Sequence, residues 1–225
     1  MKIIGIDTSG AYCSVGIITG DLEPIVKEHL GQDYNERLFS LMQEALDEAK
    51  IERTDIEGIA VCIGPGSFTG LRVGLSAAKG IAHALNIPIS GVSSLDVLAS
   101  QASPDDYPVC SIVQSKGEKV AYRIYEVFET EKHQGDFMEG TWTDVFADAK
   151  MVKNVYGSIT DDKVSQLKEK LPKGVMVSQK YTSGALVAEI GRERIQRGHT
   201  DNLVNLAPLY AHAITFQEKR RQDRK

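Results

Sequence analysis

The sequence predicts an α/β protein of two lobes. Its first thirty residues favour three short strands separated by turn residues, a pattern typical of an antiparallel meander. Helical and strand patterns then alternate as far as about residue 102, as expected for a sheet flanked by helices. A segment rich in proline and aspartate at 103–108 interrupts this order. We therefore expect a first lobe at residues 1–103 and a second, smaller or degenerate lobe at 104–225, whose last segment is a candidate to pack back on the first.

Hydrophobic spacing defines the elements of the first lobe. Strands are predicted at 2–8, 12–19, 23–30, 59–63 and 87–92. Helices are predicted at about 35–50, 68–86 and 94–102. The run from Ile59 to Ile63 is apolar throughout, as in a strand buried on both faces. The apolar residues of the first helix recur on one face, and Pro88 marks the limit of the second helix.

The second lobe partly repeats this order of elements. A hairpin is expected around the turn at 116–118, and further strands and helices follow it with weaker patterning. The predicted strands are 109–114, 120–128, 152–156 and 175–178, and the predicted helices are 161–171 and 184–197. The two halves share no repeat in sequence, so any duplication is one of architecture alone.

Composition and charge exclude several classes of protein. The 225 residues are 42% hydrophobic and 25% charged, which is ordinary for a soluble globular chain, and the net charge of −5 argues against a chain-wide electrostatic grip on nucleic acid. The three cysteines lack the paired spacing of a zinc site or disulfide framework. The N-terminal apolar run stops at Asp7, too early for a signal peptide or membrane span, so we expect a cytoplasmic protein. A basic C-terminal tail is interpreted as a solvated end.

The most specific local signal is the segment Gly64-Pro65-Gly66-Ser67-Phe68-Thr69-Gly70-Leu71-Arg72. It joins a buried strand to a helix, and Ser67 or Thr69 is placed to cap that helix. It is not a Walker A loop, because its glycine spacing is one residue short and Leu71-Arg72 replaces the Lys-Ser/Thr pair.

The following helix carries small residues at every fourth position: Gly70, Gly74, Ala78 and Ala82. Such a stripe permits close approach of another backbone. The approaching element is either a helix of a partner or the lobe's own sheet, and the spacing favours neither.

The turn Asp7-Thr8-Ser9 combines an acid with two hydroxyls at the end of the first strand. It is a candidate vestigial phosphate site, for a phosphate that carries Mg²⁺, or a turn that caps its own backbone. The sequence lacks the residue patterns that metal binding and nucleophilic catalysis require. No histidine pair has metal-binding spacing, and no Gly-x-Ser-x-Gly elbow is present, so we expect no catalytic residues and no metal.

Three segments together resemble the YeaZ/TsaB family. They are Ile4-Gly5-Ile6-Asp7-Thr8-Ser9, the segment from Gly64 to Gly74, and Gly91-Val92-Ser93-Ser94-Leu95. The resemblance is strong over residues 1–100 and weak beyond them. It implies an actin-like two-lobed α/β fold (the ASKHA, ribonuclease H-like class), with mixed sheets flanked by helices. In the second lobe only Gly117-Glu118 of a family hairpin is retained, and His212 stands where an arginine is usual.

The resemblance also implies a function. Family members are dimerising subunits that support the catalytic TsaD subunit, together with the ATPase TsaE, in forming N6-threonylcarbamoyladenosine next to the anticodon of tRNA. By this likeness we expect a non-catalytic subunit that forms a homodimer in isolation, contacts tRNA only indirectly, binds no membrane and needs no cofactor, ATP and Mg²⁺ included. The alternatives are an ATPase or kinase of the same fold, or a glycoprotease-like metallopeptidase.

The resemblance places the partner-binding surface on the first two helices. The candidate interface residues are Leu38, Leu41, Met42, Leu46, Gly70, Arg72, Val73, Gly74, Ala77, Ala78 and Ile81.

Overall fold

The computed structural model describes residues 1–20, 22–31, 33–115, 117–127 and 137–211. The basic C-terminal tail and His212 lie outside these ranges, as does Lys116 of the predicted hairpin turn. No helix within the described ranges is long and apolar enough to cross a bilayer.

Five strands form the first sheet, in the order β3-β2-β1-β4-β5. They are β1 Lys2–Asp7, β2 Tyr12–Thr19, β3 Ile25–Leu30, β4 Gly58–Gly64 and β5 Ile89–Ser93. The first three pair antiparallel, as a meander does, and β4 and β5 run parallel to β1. Strand β4 is buried along its whole length, which explains its continuous apolar run.

The second sheet repeats the topology of the first, with the order β10-β9-β6-β7-β8. Its strands are β6 Val109–Gln114, β7 Lys119–Tyr125, β8 Met138–Thr141, β9 Asn154–Ser158 and β10 Met176–Gln179. A meander again supplies one half of the sheet, and two parallel strands supply the other. The two-lobed α/β fold expected from the sequence is confirmed, with the duplication visible in topology.

Within the described ranges, six α-helices flank the two sheets. They are α1 Tyr34–Ala49, α2 Phe68–Leu85, α3 Ser94–Ala99, α4 Trp142–Asp148, α5 Asp161–Lys170 and α6 Gly184–Gln196. Helices α1 and α2 cover one face of the first sheet, and α6, although it follows the second sheet in sequence, covers the other face. Close packing of α6 depends on Gly5, because a Cβ added there would lie 2.1 Å from the carbonyl oxygen of Gly184.

Two elements of the second lobe escaped sequence prediction. Strand β8 reads Met-Glu-Gly-Thr and is largely exposed, so it lacks the apolar alternation that identifies a strand. Helix α4 follows at once and is too short to show helical periodicity. The predicted helix through Ala102 is also shorter than expected, since α3 ends at Ala99. The Pro- and Asp-rich segment contains a single 3-10 turn, Pro104–Asp106.

A buried ion pair ties α3 to α6. Arg194 donates a 2.8 Å hydrogen bond to the carboxylate of Asp96, and both side chains are 2% exposed. Tyr125 of β7 donates to the other carboxylate oxygen at 2.7 Å, so the second sheet joins the same network. Burial, followed by the nearby carboxylate, raises the pKa of Tyr125. The Asp96 carboxylate is thus paired with both a guanidinium and a hydroxyl where the lobes meet.

The last described segment, residues 200–211, is a strap that runs along the edge of the first sheet. Asp201 donates its backbone N–H to Ile89 O at 2.9 Å and accepts a side-chain bond from Gly91 N at 2.8 Å. Leu206 is buried in the core beneath α2, and Leu209 N donates to Ile63 O at 2.7 Å. The strap therefore covers backbone groups that an open sheet edge would leave unpaired.

Candidate partner-binding face and the Asp7–Ser9 turn

The turn between β4 and α2 is built against the turn between β1 and β2. Ser67 caps α2, its Oγ accepting the N–H of Gly70 at 3.2 Å, as the sequence predicts. The backbone N–H of Ser67 donates to Ser9 O at 2.7 Å. A Cβ on Gly66 would lie 2.4 Å from that same oxygen, so glycine is required for this approach.

The small-residue stripe of α2 faces the lobe's own sheet. A Cβ on Gly70 would lie 1.9 Å from Thr8 O, and one on Gly74 would lie 2.3 Å from Thr8 Oγ1. Ala78 is fully buried, and Ala82 is 2% exposed. The placement of Gly70, Gly74 and Ala78 at a partner interface is therefore wrong: they bring α2 close to β1.

The apolar stripe of α1 is also internal. Leu38, Leu41, Met42 and Leu46 are between 0% and 8% exposed and belong to the core between the helices and the first sheet. The prediction that they form a contact surface is wrong for the same reason: a helix that covers a sheet buries its apolar stripe. Leu38, Met42 and Leu46 reach only the floors of the surface grooves between the two helices.

The outward side of α1 and α2 carries the remaining predicted residues. Arg72 is exposed, and Val73, Ala77 and Ile81 are half-buried. We call this outward side the α1–α2 face. It includes a groove of about 490 Å³ that is lined by Leu38, Phe39, Arg72, Val73, Ser76 and Ala77. A smaller apolar groove of about 160 Å³ lies farther along the two helices, where Ile81 and Leu85 are part of its lining.

Phe39 is the residue of this face that sequence reasoning missed. Its side chain is 59% exposed and lies beside the larger groove. The signal was available: Phe39 falls off the buried stripe of an amphipathic helix, where polar residues are expected. Phe68, 40% exposed at the start of α2, is a second exposed aromatic residue of this region. Adjacent exposed aromatic and aliphatic side chains are typical of a protein-binding surface.

The polar groups of the Asp7–Ser9 turn serve the fold itself. Asp7 Oδ1 accepts the N–H of Ser9 at 2.8 Å, and Thr8 Oγ1 donates to Gly70 O at 2.7 Å. Ser9 Oγ lies 3.4 Å from Thr182 Oγ1 of the loop before α6. All three residues are at most 7% exposed. These bonds engage both hydroxyls of the turn and one oxygen of the Asp7 carboxylate, as expected for the alternative of a turn that caps its own backbone.

The cavity between the lobes is small. It measures about 130 Å³ and is lined by Pro65, Gly66, Phe68, Val113, Gln114, Ser115, Tyr210 and Ala211. Small-molecule sites in proteins are usually about 300–1,000 Å³, so a nucleotide needs a wider opening than this one. Over the residues that the structure places, no three His, Cys, Asp or Glu side chains are grouped as a metal site requires.

Comparison with known proteins identifies the family. The family model described as TsaD: tRNA N6-adenosine threonylcarbamoyltransferase matches residues 24–218, most of the chain. The chain belongs to this family. Curated relatives named tRNA threonylcarbamoyladenosine biosynthesis protein TsaB are 36% identical over 107 residues in Escherichia coli and 31% identical over 129 residues in Bacillus subtilis. These matches confirm the YeaZ/TsaB resemblance read from the sequence.

The matches to curated relatives are partial. The Escherichia coli alignment covers 45% of this chain and 44% of the relative, and the Bacillus subtilis alignment covers 56% of each. The chain therefore spans about half the length of the curated relatives it matches. The solved structure of YeaZ from Pseudomonas aeruginosa aligns with 93% of this chain and 100% of its own, at a TM-score of 0.78 and 22% identity, and shares the fold.

The second lobe of this TsaD-family chain keeps one family residue in a structural contact. Glu118, from the retained Gly117-Glu118 pair, accepts hydrogen bonds from Lys163 of α5 at 3.0 and 3.1 Å. The Lys163 ammonium also lies 5.2 Å from the centroid of the Trp142 ring, and its side chain is only 9% exposed. The pair joins the β6–β7 hairpin to α5, which is a structural role.

Proposed function

We propose that this chain is a non-catalytic subunit of a complex that forms N6-threonylcarbamoyladenosine in tRNA. It binds a TsaD-like catalytic subunit through the α1–α2 face, and the same face forms a homodimer when the chain is alone. A TsaE-like ATPase is a further partner of the complex, and contact with tRNA is made through the other subunits.

The exposed apolar surface of the α1–α2 face is the observation that carries this proposal. Helix α1 presents Phe39 to solvent, and α2 presents Val73, Ala77 and Ile81 beside it. Burial of apolar surface contributes about 25 cal/mol per Å² of favourable free energy. A partner that covers this face therefore gains binding free energy by removing its apolar side chains from water. The names of the curated relatives, tRNA threonylcarbamoyladenosine biosynthesis protein TsaB, support a role for the chain in this pathway.

The hydrogen bonds of the Asp7–Ser9 turn favour a non-catalytic role for this chain over a catalytic one. Catalysis of acyl transfer requires donors aimed at a developing charge. Here the hydroxyl of Thr8 bonds Gly70 O and the carboxylate of Asp7 bonds the backbone of its own turn. Chemistry by this chain would need those bonds to break first, whereas pairing with a partner leaves them intact.

The test measures binding of the purified chain to a TsaD-like subunit by calorimetry. We expect Phe39→Asp and Ala77→Glu each to weaken binding by about tenfold or more, because a charge placed in an apolar contact must be desolvated without a partner. Met151→Asp is the matched control, since Met151 is 87% exposed and lies in the second lobe. Unchanged circular dichroism melting establishes that the variants fold.

Two outcomes would contradict the proposal. The first is wild-type affinity in both face variants, which would remove the face from the interface. The second is threonylcarbamoyl transfer to tRNA by the purified chain without a partner, which would make it an enzyme. In a reconstituted complex, omission of the chain should abolish product formation, and its addition should restore it.

A further inference from the structure

Arg72 occupies one end of the larger groove on the α1–α2 face. It lies one turn into α2, is exposed, and shares the groove lining with Phe39 and Val73. The remainder of that lining is apolar or neutral, so the groove presents an apolar surface with one cation at its end. The position of the guanidinium therefore decides what charge the groove accepts.

Two aromatic rings hold the Arg72 side chain in place. Its guanidinium carbon lies 3.7 Å from the centroid of the Phe68 ring, one turn earlier in the helix. The Nε atom donates a 2.9 Å hydrogen bond to the hydroxyl of Tyr210, whose ring is 5.1 Å from that of Phe68. An exposed arginine ordinarily samples many rotamers, and this stacking with an Nε bond removes most of that freedom before any partner binds.

Tyr210 is itself held by the strap. The preceding residue, Leu209, donates its backbone N–H to Ile63 O of β4, and Leu206 is 6% exposed in the core. The hydroxyl of Tyr210 thus reaches Arg72 from a fixed backbone. A residue 138 positions away in sequence orients the side chain that ends the groove.

The held geometry leaves the terminal amino groups of Arg72 available. Its Nε is used by Tyr210, and within the described ranges the two Nη groups have no hydrogen-bond partner. A guanidinium presents its donors in a planar fork that matches a carboxylate, and the pair is strongest when the fork is already oriented. The chemistry complementary to this groove is an apolar helix surface that carries one Asp or Glu at its end.

We propose that Arg72 is a charged anchor that binds a carboxylate of the catalytic partner subunit, and that Tyr210 is the positioning residue that orients it. This inference rests on the proposed function, because it assigns a specificity determinant to the same face. The competing explanation is that Arg72 only fastens the strap to α2. In that case its effect on binding follows the stability of the strap and carries no charge requirement.

The experiment is a double-mutant cycle on affinity for the purified TsaD-like subunit, with Arg72→Gln, Tyr210→Phe and the double variant. We expect Arg72→Gln to weaken binding at least about tenfold, as the loss of a hydrogen bond between charged groups does. Tyr210→Phe keeps the ring but loses the hydroxyl, and should weaken binding about threefold, the smaller effect expected of one lost hydrogen bond. In the Arg72→Gln background, Tyr210→Phe should have no further effect, because the hydroxyl acts only through Arg72.

The salt dependence of the binding affinity distinguishes the two roles of Arg72, binding a partner carboxylate or only attaching the strap to α2. Wild-type affinity should fall as ionic strength rises, and Arg72→Gln should flatten that dependence. Arg197→Gln is the matched control: this arginine is 57% exposed at the end of α6, away from the face, and should leave affinity unchanged. Circular dichroism melting of each variant monitors the strap and the fold.

Each outcome has a defined meaning. If the wild-type chain binds the partner and Arg72→Gln binds it with the same affinity, the role of Arg72 as an anchor is overturned and the proposed function stands. Additive losses in the double variant, with unchanged salt dependence, would overturn the positioning role in favour of simple strap attachment. Absence of any binding by the wild-type chain would overturn the proposed function and the anchor with it.

Discussion

At the scale of single residues, two glycines of α2 have opposite roles. Gly70 faces β1, where an added Cβ would lie 1.9 Å from a backbone oxygen, whereas Gly80 faces open space with no atom within 4 Å. We expect Gly70→Ala to destabilise the fold by about 1–3 kcal/mol, the usual cost of overpacking. Gly80→Ala should stabilise it by up to about 1 kcal/mol through helix propensity alone.

Urea denaturation of the two alanine variants measures both effects in one helix. The pair is matched, because the substitution and the secondary structure are the same and only the surroundings differ. A stable Gly70→Ala protein would contradict the close approach of α2 to Thr8. The same reasoning applies to Gly74→Leu and Ala78→Leu, which should melt early rather than block dimerisation, since both positions are internal.

The sequence predicted the location of the candidate site better than it predicted the chemistry of the site. The glycine spacing of α2 correctly indicated a close approach, but periodicity alone does not say which element approaches. Arg72, Val73, Ala77 and Ile81 were assigned to the partner-binding surface by the family resemblance, and they lie on the outward side of α2. The contact of Tyr210 with Arg72 joins residues 138 positions apart, and no local pattern reports such a contact.

At the scale of secondary-structure elements, α1 and α2 form a single surface that one partner at a time can cover. A two-fold homodimer uses the same patch on both chains, so the patch is unavailable to a second protein while the homodimer persists. We therefore expect the TsaD-like subunit to compete with homodimerisation. Light scattering should show a homodimer of the chain alone that converts to a heterodimer as the partner is added.

The control for this competition is Phe39→Asp, which should be monomeric at concentrations where the wild-type chain is dimeric. Met151→Asp should remain dimeric, because Met151 is exposed in the second lobe. A shared surface would be contradicted by a ternary species in which two copies of the chain are paired through α1 and α2 while the partner is bound to the same face.

Strand and helix prediction succeeded where the period was strong and failed where elements were short. The apolar run of β4 and the one-sided pattern of α1 gave elements within one or two residues of those observed. Strand β8 has four residues and helix α4 has seven, and both carry too few positions to establish a period. Their fold is set by pairing with β7 and by burial of Trp142.

At the scale of the whole molecule, buried weak acids predict the response of stability to alkaline pH. Burial raises the pKa of Cys13 to about 11 and of Cys110 to about 12, from an ordinary thiol value of 9.0. Burial, with a smaller contribution from Tyr156 and Asp106, raises the pKa of Tyr107 to about 12 from 10.0. In each case the folded state holds the proton more tightly than the unfolded state.

The sign of the effect follows from linkage. The unfolded chain releases these protons first, so the stability they contribute is complete below pH 9 and is lost as the pH rises toward 12. We expect the urea midpoint to be level at pH 7–8 and to fall steeply from pH 9 upward. Tyr107→Phe should reduce the fall between pH 10 and pH 12 and leave the lower range unchanged. A midpoint that rises with pH over this range would contradict the assignment.

The sequence made the last segment a candidate to pack back on the first lobe, but it did not indicate which residues connect the lobes. Asp96 and Arg194 are 98 positions apart, and neither lies in a motif that indicates pairing. Replacing one member of a buried pair leaves a desolvated charge without its counter-charge, which typically costs about 3–5 kcal/mol. Asp96→Ala should therefore destabilise the whole chain, since α3, α6 and β7 all contact this carboxylate.

Arg197→Ala provides the matched control for that substitution. It lies three residues after Arg194, and its 4.0 Å pair with Glu193 is exposed, so its removal should cost less than about 1 kcal/mol. Differential scanning calorimetry should show one transition for the wild-type chain and for Arg197→Ala, because α3 packs against the second sheet and its Asp96 pairs with Arg194 of α6, which covers the first sheet. In Asp96→Ala the transition should move to lower temperature or divide in two. A wild-type melting profile in Asp96→Ala would show that apolar packing of α3 and α6 suffices to couple the lobes without the ion pair.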